Sequence, residues 1–185
     1  MIKRCFWCNL KNPRYVAYHD NEWGVPCHDE HALYELFILE TFQAGLSWEC
    51  ILDKRGNFRR AYDGFRLEAV CGYREDKMDA LMRDAGIVRN RAKIAASIAN
   101  SRIYRDICAE FGGFEAYLRH FAGAGVIREP DAKITTSVLS DTIAKDLKKR
   151  GMRFAGSTTV HAYLQAVGII NAHSPDCFKF RADPQ

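Results

Sequence analysis

The stretch LFILETFQAGLSW, residues 36–48, places a single carboxylate, Glu40, in a run of apolar side chains. Asp29 is a suitable N-cap for a helix over residues 29–44, and Gly45 suits the position just after its last turn. Apolar residues cover every side of this helix, which predicts that it is buried. The first strong element of the chain is therefore a core helix that carries one acid.

Glu40 has two interpretations. A buried carboxylate needs a partner, or its pKa rises and it becomes neutral. It could be a structural group that accepts hydrogen bonds from the backbone or from tyrosine hydroxyls. It could also contact a ligand in a pocket. Ser47 is a natural cap for a second helix that runs to about residue 54, and Trp48 at its start favours the pocket.

Aromatic residues are concentrated in the N-terminal segment, where Trp7, Tyr15, Tyr18 and Trp23 occur within 17 positions. Rings beside one carboxylate suit a planar, cationic ligand, because the rings supply stacking and cation–π attraction and the acid supplies charge-assisted hydrogen bonds. The alternative is that these rings are simply core.

A helical hairpin is predicted in the middle of the chain. Residues 75–85 have the apolar spacing of an amphipathic helix, GIVRN at 86–90 interrupts it, and another helix runs from Arg91 to about residue 108. Such a hairpin can offer backbone N–H groups to a phosphate without reading sequence, and Arg89, Arg91 and Lys93 lie beside it. An ordinary turn with solvated charges is the alternative.

The remaining segments also read as helices and loops, and no segment alternates in the manner of a strand. The fold class is therefore mainly α. The predicted elements are an irregular segment at 1–28, a helix at 114–121, a loop at 122–137, a helix capped by Ser140 and ended by Gly151, and a last helix at 158–168.

Candidate metal ligands lie at both ends of the chain. Cys5, Cys8 and His19 are near the N-terminus, and HSPDC supplies His173 and Cys177 near the C-terminus. Two cysteines and two histidines would make a tetrahedral zinc site that joins the chain ends. Spacing alone does not choose between the first two cysteines, and CFWC could also be a redox pair. A site closed by four protein ligands is structural, since it leaves no position for an activated water.

Composition sets wider limits. The 185 residues are 48% hydrophobic with a formal net charge of +4, which suits one domain and is compatible with a polyanionic partner. No stretch is long enough to span a membrane and the N-terminus has no signal-like apolar region, so we expect a cytoplasmic protein without membrane contact. Seven scattered cysteines argue against a secreted disulfide framework.

Several stretches together resemble the bacterial DNA-3-methyladenine glycosylase I family, nearly end to end and in order. The stretches are RCFW (4–7), YHDNEWGVP (18–26), LETFQAGLSW (39–48), DAGIVRNRAKI (84–94), LKKRGMRFAGSTT (147–159) and GIINAHSPDC (168–177). The resemblance implies a helix-hairpin-helix DNA glycosylase fold, with a hairpin-containing core at about 29–150 and with segments 1–28 and 151–185 joined by zinc. The whole chain, 1–185, would be a single unit.

The resemblance also implies the chemistry. The family releases 3-methyladenine from alkylated double-stranded DNA by base flipping, and we expect a monomeric, monofunctional glycosylase without lyase activity. The implied roles are Glu40 and Tyr18 as catalytic residues that hydrogen-bond the extruded base, Trp48, Trp7, Trp23 and Tyr15 as base-binding residues, Gly45 and Leu46 as the filler of the vacated gap, Gly86, Arg89 and Arg91 as DNA-backbone contacts, and Cys5, His19, His173 and Cys177 as ligands of one structural Zn²⁺.

The chain departs from wider superfamily patterns in places. Only Gly86 remains of the two glycines common in such hairpins, and no catalytic aspartate is found, which fits this family. Thr41 and Phe42 stand where a small and a polar residue are common, which leaves their effect on the pocket open. The alternative function is a non-enzymatic, zinc-containing DNA-binding module; a redox or metal-dependent hydrolase using Cys5 and Cys8 is a second rival.

Overall fold

The computed structural model describes residues 2–129, 131 and 133–180, and these form a mainly helical protein, as predicted. The helices are α1 (Pro13–Asn21), α2 (Glu30–Gln43), α3 (Trp48–Ala61), a 3₁₀ turn (Asp63–Phe65), α4 (Leu67–Cys71), α5 (Glu75–Arg83), α6 (Arg91–Phe111), α7 (Phe114–Ala122), α8 (Val138–Lys149) and α9 (Ser157–Ala166). Two short strands, β1 (Ile127–Arg128) and β2 (Ile170–Asn171), pair in parallel.

Helix α2 is the centre of the fold. Every residue from 33 to 42 is buried, and the helix contacts α3, α6, α7 and α9. Asp29 caps it, since its side chain accepts a hydrogen bond from the His31 N–H. The prediction of a buried helix that begins at Asp29 and ends before Gly45 is confirmed.

Aromatic side chains fill the core around α2, and their hydroxyls are largely satisfied. The Tyr34 and Ser101 hydroxyls are 2.6 Å apart, and the Tyr163 hydroxyl donates to the Leu33 carbonyl at 3.0 Å. Phe42 packs on Phe58, with ring centroids 4.9 Å apart. These contacts tie α6, α9 and α3 to the central helix.

Some element predictions were wrong. Residues 13–21 form α1 rather than irregular chain, because Asn12 caps the helix and Pro13 suits its first position. Helix α3 continues past residue 54 to Ala61. The cap of α8 is Ser137, whose hydroxyl accepts from the Ser140 N–H, so Ser140 is the third residue of a capping box.

The strands were also missed, since each has two residues and neither shows a period. Ile127 pairs with Ile170, inside the segment predicted as loop. Gly168 precedes β2 with φ +72°, and a Cβ there would meet the Val25 backbone carbon at 2.3 Å. Glycine is required at this close approach, which packs the N-terminal segment against the end of α9.

Among the described residues, no helix is both long and apolar enough to cross a membrane.

Candidate active site

A cavity of about 160 Å³ opens between the C-terminal end of α2 and the N-terminal end of α3, where α1 and α9 meet them. It contains all six residues predicted for base recognition. The lining residues are Trp7, Tyr15, Tyr18, Trp23, Glu40, Gln43, Trp48, Ala162 and Gln165. Four separate helices and the segments flanking α1 therefore contribute to one site.

Glu40 is 3% exposed and faces this cavity, and its Oε2 has no hydrogen-bond partner among the described residues. Burial raises its pKa to about 8, so the free protein holds it neutral at pH 7. Glu35, one and a half turns earlier on α2, is equally buried. Burial alone would raise its pKa too, but Arg59 and Arg55 bind its carboxylate and lower it. The same buried helix therefore carries one acid that is paired with arginines, Glu35, and one that has no such partner among the described residues, Glu40.

Two indole nitrogens at the cavity also lack a hydrogen-bond partner in the described part of the chain. Trp7 Nε1 and Trp48 Nε1 are buried without a hydrogen-bond partner among the described residues. Buried polar groups in folded proteins are nearly always paired, and each unpaired group costs about 1–3 kcal/mol. Three such atoms lie on residues that line one cavity, which fits a site that a polar ligand completes.

The rings on the cavity wall form two groups whose members are in contact. The Trp7 centroid lies 5.3 Å from Tyr15 and 4.7 Å from Trp23, and Tyr18 lies 5.4 Å from Trp48. Local sequence sets these positions: Asn12 caps α1 ahead of both tyrosines, and Ser47 accepts from the Cys50 N–H and so begins α3 at the tryptophan. The arrangement can stack a planar ligand and attract a cationic one.

The turn between α2 and α3 has the predicted shape. Gly45 has φ +77°, and the Leu46 N–H donates to the Gln43 carbonyl at 2.6 Å. Leu46 is 40% exposed, so its apolar side chain is accessible at the surface beside the Gly45 turn. Thr41 and Phe42 are buried and are not among the residues that line the cavity.

The predicted hairpin is formed by α5, residues 84–90 and α6. The Gly86 N–H donates to Asp84 Oδ1 at 2.7 Å, and its carbonyl accepts from Asn57 Nδ2 at 3.1 Å, so both backbone groups are engaged within the protein. Arg89 is exposed. Arg91 is paired with Asp79 at 2.9 Å and also with Glu75, which offsets its charge.

The four predicted metal ligands come together. Cys5, His19, His173 and Cys177 are all buried, and their ligand atoms lie within 4.8 Å of one another. Cys5 Sγ is 3.4 Å from His173 Nδ1, and Cys177 Sγ is 3.4 Å from His19 Nε2. A tetrahedral zinc with bonds of about 2.3 Å to sulfur and 2.0 Å to nitrogen needs sulfur–nitrogen distances of about 3.5 Å. The donor set and its spacing therefore fit a bound metal ion.

Neighbouring groups orient both histidines. Asp20 lies 2.8 Å from His19 Nδ1, and the Trp23 carbonyl oxygen lies 3.1 Å from His173 Nε2, which leaves the other nitrogen of each ring for a metal. Burial lowers the pKa of His173 to about 4, so its ring is neutral at pH 7. Cys8 stands apart, with its thiol 3.9 Å from the Tyr15 carbonyl, so the structure selects Cys5 as the ligand candidate.

Three lining residues were not predicted from the sequence. Gln43 occupies the last position of α2, while Ala162 and Gln165 come from α9, more than a hundred residues away. The Gln165 side chain contacts His161, with Nε2 of each 3.0 Å apart. No motif or spacing in the sequence links α9 to the aromatic segment, and only the packing of α9 on α2 brings them together.

The chain is similar to known proteins and structures along nearly all of its length. The methyladenine glycosylase family model matches residues 7–180. DNA-3-methyladenine glycosylase 1 of Escherichia coli K12 is 39% identical over 95% of this chain and 96% of that protein. DNA-3-methyladenine glycosylase of Haemophilus influenzae is 35% identical over 96% and 97%. A crystal structure of 3-methyladenine DNA glycosylase I aligns with a TM-score of 0.90 at 38% identity, covering 95% of this chain and 98% of that one. This chain belongs to the methyladenine glycosylase family.

Proposed function

We propose that this protein is a DNA-3-methyladenine glycosylase, which hydrolyses the N-glycosidic bond of 3-methyladenine in alkylated double-stranded DNA and so begins base-excision repair. The observation that carries this function is the cavity itself. Aromatic rings surround one carboxyl group and two indole N–H groups that have no hydrogen-bond partner among the described residues, in a chain whose relatives carry this name.

Glu40 and Tyr18 would hydrogen-bond the extruded base, and Trp48 would stack on it, with Trp7, Trp23 and Tyr15 completing the pocket. Methylation at N3 leaves the base positively charged in DNA. That charge favours the ionised form of Glu40, which burial otherwise disfavours, and it gains cation–π attraction from the rings. Neutral adenine gains neither contribution, so the pocket selects the damaged base.

The reaction needs only moderate help, because a cationic base is already a good leaving group. The sugar becomes oxocarbenium-like as the bond breaks, and water attacks it. Lyase activity would require a free amine at the site. Lys93, the lysine of the hairpin, has its Nζ bound to two backbone carbonyls, which supports a monofunctional enzyme.

Access to the base requires unstacking, which costs a few kcal/mol and costs less for a damaged base. The exposed Leu46 on the Gly45 turn is suited to fill the vacated gap and offset part of this cost. We propose that α5, residues 84–90 and α6 act as a helix-hairpin-helix element. It would bind the DNA sugar-phosphate backbone near Gly86 and Arg89. Arg91 would contribute less, because two acids already neutralise it.

Zinc is the proposed metal at Cys5, His19, His173 and Cys177, one ion per chain. The ion would join segments 1–28 and 151–185 to each other beside the core at about 29–150. The whole chain would then form a single unit. We propose that the protein acts as a monomer in the cytoplasm. All seven cysteines lie in the described ranges and none forms a disulfide, which suits a reducing compartment.

The test is to incubate the protein with methylated double-stranded DNA and identify the released base by chromatography. We expect free 3-methyladenine and intact abasic strands. Glu40→Gln should slow release at least tenfold while folding is preserved, whereas Glu68→Gln, an exposed control, should behave as wild type. DNA binding without base release would support the non-enzymatic DNA-binding module instead. Release by Glu40→Gln at the wild-type rate would overturn the role of this residue.

A further inference from the structure

Lys93 lies in the first turn of α6, yet it is only 7% exposed. Its Nζ donates to the Phe42 carbonyl at 2.8 Å and to the Ala44 carbonyl at 2.5 Å. A lysine beside a turn is usually solvated, and burying its ammonium group is costly unless acceptors are supplied. Here the acceptors belong to a different helix, some fifty residues earlier in the chain.

These two carbonyls are at the C-terminus of α2, just before the Gly45 turn. The last carbonyls of a helix have no partner within it, and the C-terminus carries partial negative charge. The ammonium group of Lys93 supplies hydrogen-bond donors to these carbonyls and a positive charge beside the negative end of the helix. It also fixes the backbone from which Leu46 projects, since Ala44 is two residues from Leu46.

The other end of the link is the hairpin. Asn90 caps α6, and its Oδ1 accepts from the Lys93 N–H at 3.1 Å, so Lys93 sits directly on the end of the 84–90 turn. Asn57 holds the same turn to α3 through the Gly86 carbonyl. The hairpin and the Gly45 turn are therefore linked in two ways. Lys93 bonds to the end of α2 just before the turn, and α3, which follows the turn, bonds to the hairpin through Asn57.

We propose that Lys93 is a positioning residue that sets the Gly45 turn on the hairpin, so that phosphate binding at the hairpin fixes how far Leu46 enters the duplex. This rests on the proposed glycosylase function and extends it. Lys93 does not line the base cavity, so it acts on insertion of the turn and leaves recognition of the base unaffected.

The distinguishing measurement compares excision from two substrates and binding of the free base. Lys93→Met keeps the length and apolar stem of the side chain but leaves two carbonyls unpaired. It should lower excision of 3-methyladenine from double-stranded DNA about tenfold, because small displacements of positioning groups carry large rate penalties. Excision from single-stranded methylated DNA, which has no paired stack to fill, should fall by less than threefold, and affinity for free 3-methyladenine should be unchanged.

Two further variants keep the test decisive. Lys93→Arg can donate to both carbonyls and should restore most double-strand activity, while Lys145→Met, an exposed lysine on α8, removes the same charge and should change nothing. If Lys93→Met fails to fold, Lys93→Gln, which can still satisfy one carbonyl, takes its place with the same expectation. An equal loss in both excision rates and in affinity for the free base, or an unchanged ratio of double- to single-strand rates, would overturn the inference. No release by the wild type would instead overturn the glycosylase function, and this inference with it.

Discussion

His173 and Trp23 connect the candidate metal cluster to the candidate base cavity. The Nε2 of His173 lies 3.1 Å from the Trp23 carbonyl oxygen, and the two rings meet edge to face with centroids 4.6 Å apart. His19 also contacts Trp7, with ring centroids 5.2 Å apart. Two candidate metal ligands thus support two walls of the cavity, so a change at the cluster should reach the pocket.

Loss of one ligand should therefore affect both stability and binding. Cys177→Ser is expected to lose bound zinc and at least about 2 kcal/mol of the free energy of unfolding, because a structural metal contributes directly to folding. Elemental analysis and denaturant unfolding measure these effects, and affinity for free 3-methyladenine should fall in parallel. The matched control is Cys8→Ser, which lies outside the cluster and should keep one zinc per chain. Full zinc content in Cys177→Ser would contradict the ligand assignment.

Glu40 should make stability depend on pH. Its pKa is raised from an ordinary 4.5 to about 8 by burial, so the unfolded chain loses this proton at lower pH than the folded protein does. The acid therefore has no effect below about pH 4.5, and it destabilises the fold increasingly as pH rises toward 8. Glu40→Gln should match wild type at pH 4.5 and be more stable at pH 7 by roughly 3 kcal/mol, at 1.4 kcal/mol per pKa unit.

Urea unfolding of both proteins at the two pH values tests this expectation, since only the difference between them reports on Glu40. Glu35→Gln provides the contrast. It removes a carboxylate that two arginines bind, so it should destabilise the protein at pH 7. A Glu40→Gln advantage that is equal at both pH values would show that Glu40 does not titrate in this range.

Trp48 should carry stacking energy. Trp48→Ala is expected to weaken binding of free 3-methyladenine at least about fivefold, since stacking of one base on an aromatic ring contributes about 1–3 kcal/mol. Trp48→Phe retains a ring but lacks the indole N–H and should lose less. Isothermal titration calorimetry measures both affinities. Equal affinity of the alanine variant and wild type would remove Trp48 from the site.

Gly45 should be required for backbone conformation rather than for space. A Cβ at this position would meet nothing within 4 Å, so the cost of Gly45→Ala is the φ of +77°, about 1–2 kcal/mol. We expect slower excision from double-stranded DNA and unchanged binding of the free base. Gly56→Ala, within α3, requires no positive φ and should leave stability the same or higher. Parallel behaviour of the two variants in thermal unfolding would contradict the strain argument.

The sequence predicted what depends on neighbouring residues. The apolar run with its cap at Asp29 established a buried α2, the break at Gly45 established the turn, and Ser47 established the start of α3 at Trp48. Caps, glycines and periodicity report on local energies, which a few adjacent residues determine. The two-residue strands show no period and were missed. The short helix after Asn12 was also missed, although its cap and Pro13 are local signals.

The tertiary structure decided which residues that are far apart in the sequence come together in one site. Residue spacing alone left Cys5 and Cys8 as equal ligand candidates, and the fold separates them by placing only the first beside His173, as the family resemblance implied. The residue pattern also left Glu40 open between a structural and a pocket role. In the fold, Glu35 on the same helix has two arginine partners, whereas Glu40 Oε2 has no partner among the described residues. Partners separated by many residues are chosen by packing, and packing is a property of the whole core; spacing along α2 can bury Glu40, but only the arrangement of four helices leaves its carboxyl group facing an aromatic cavity.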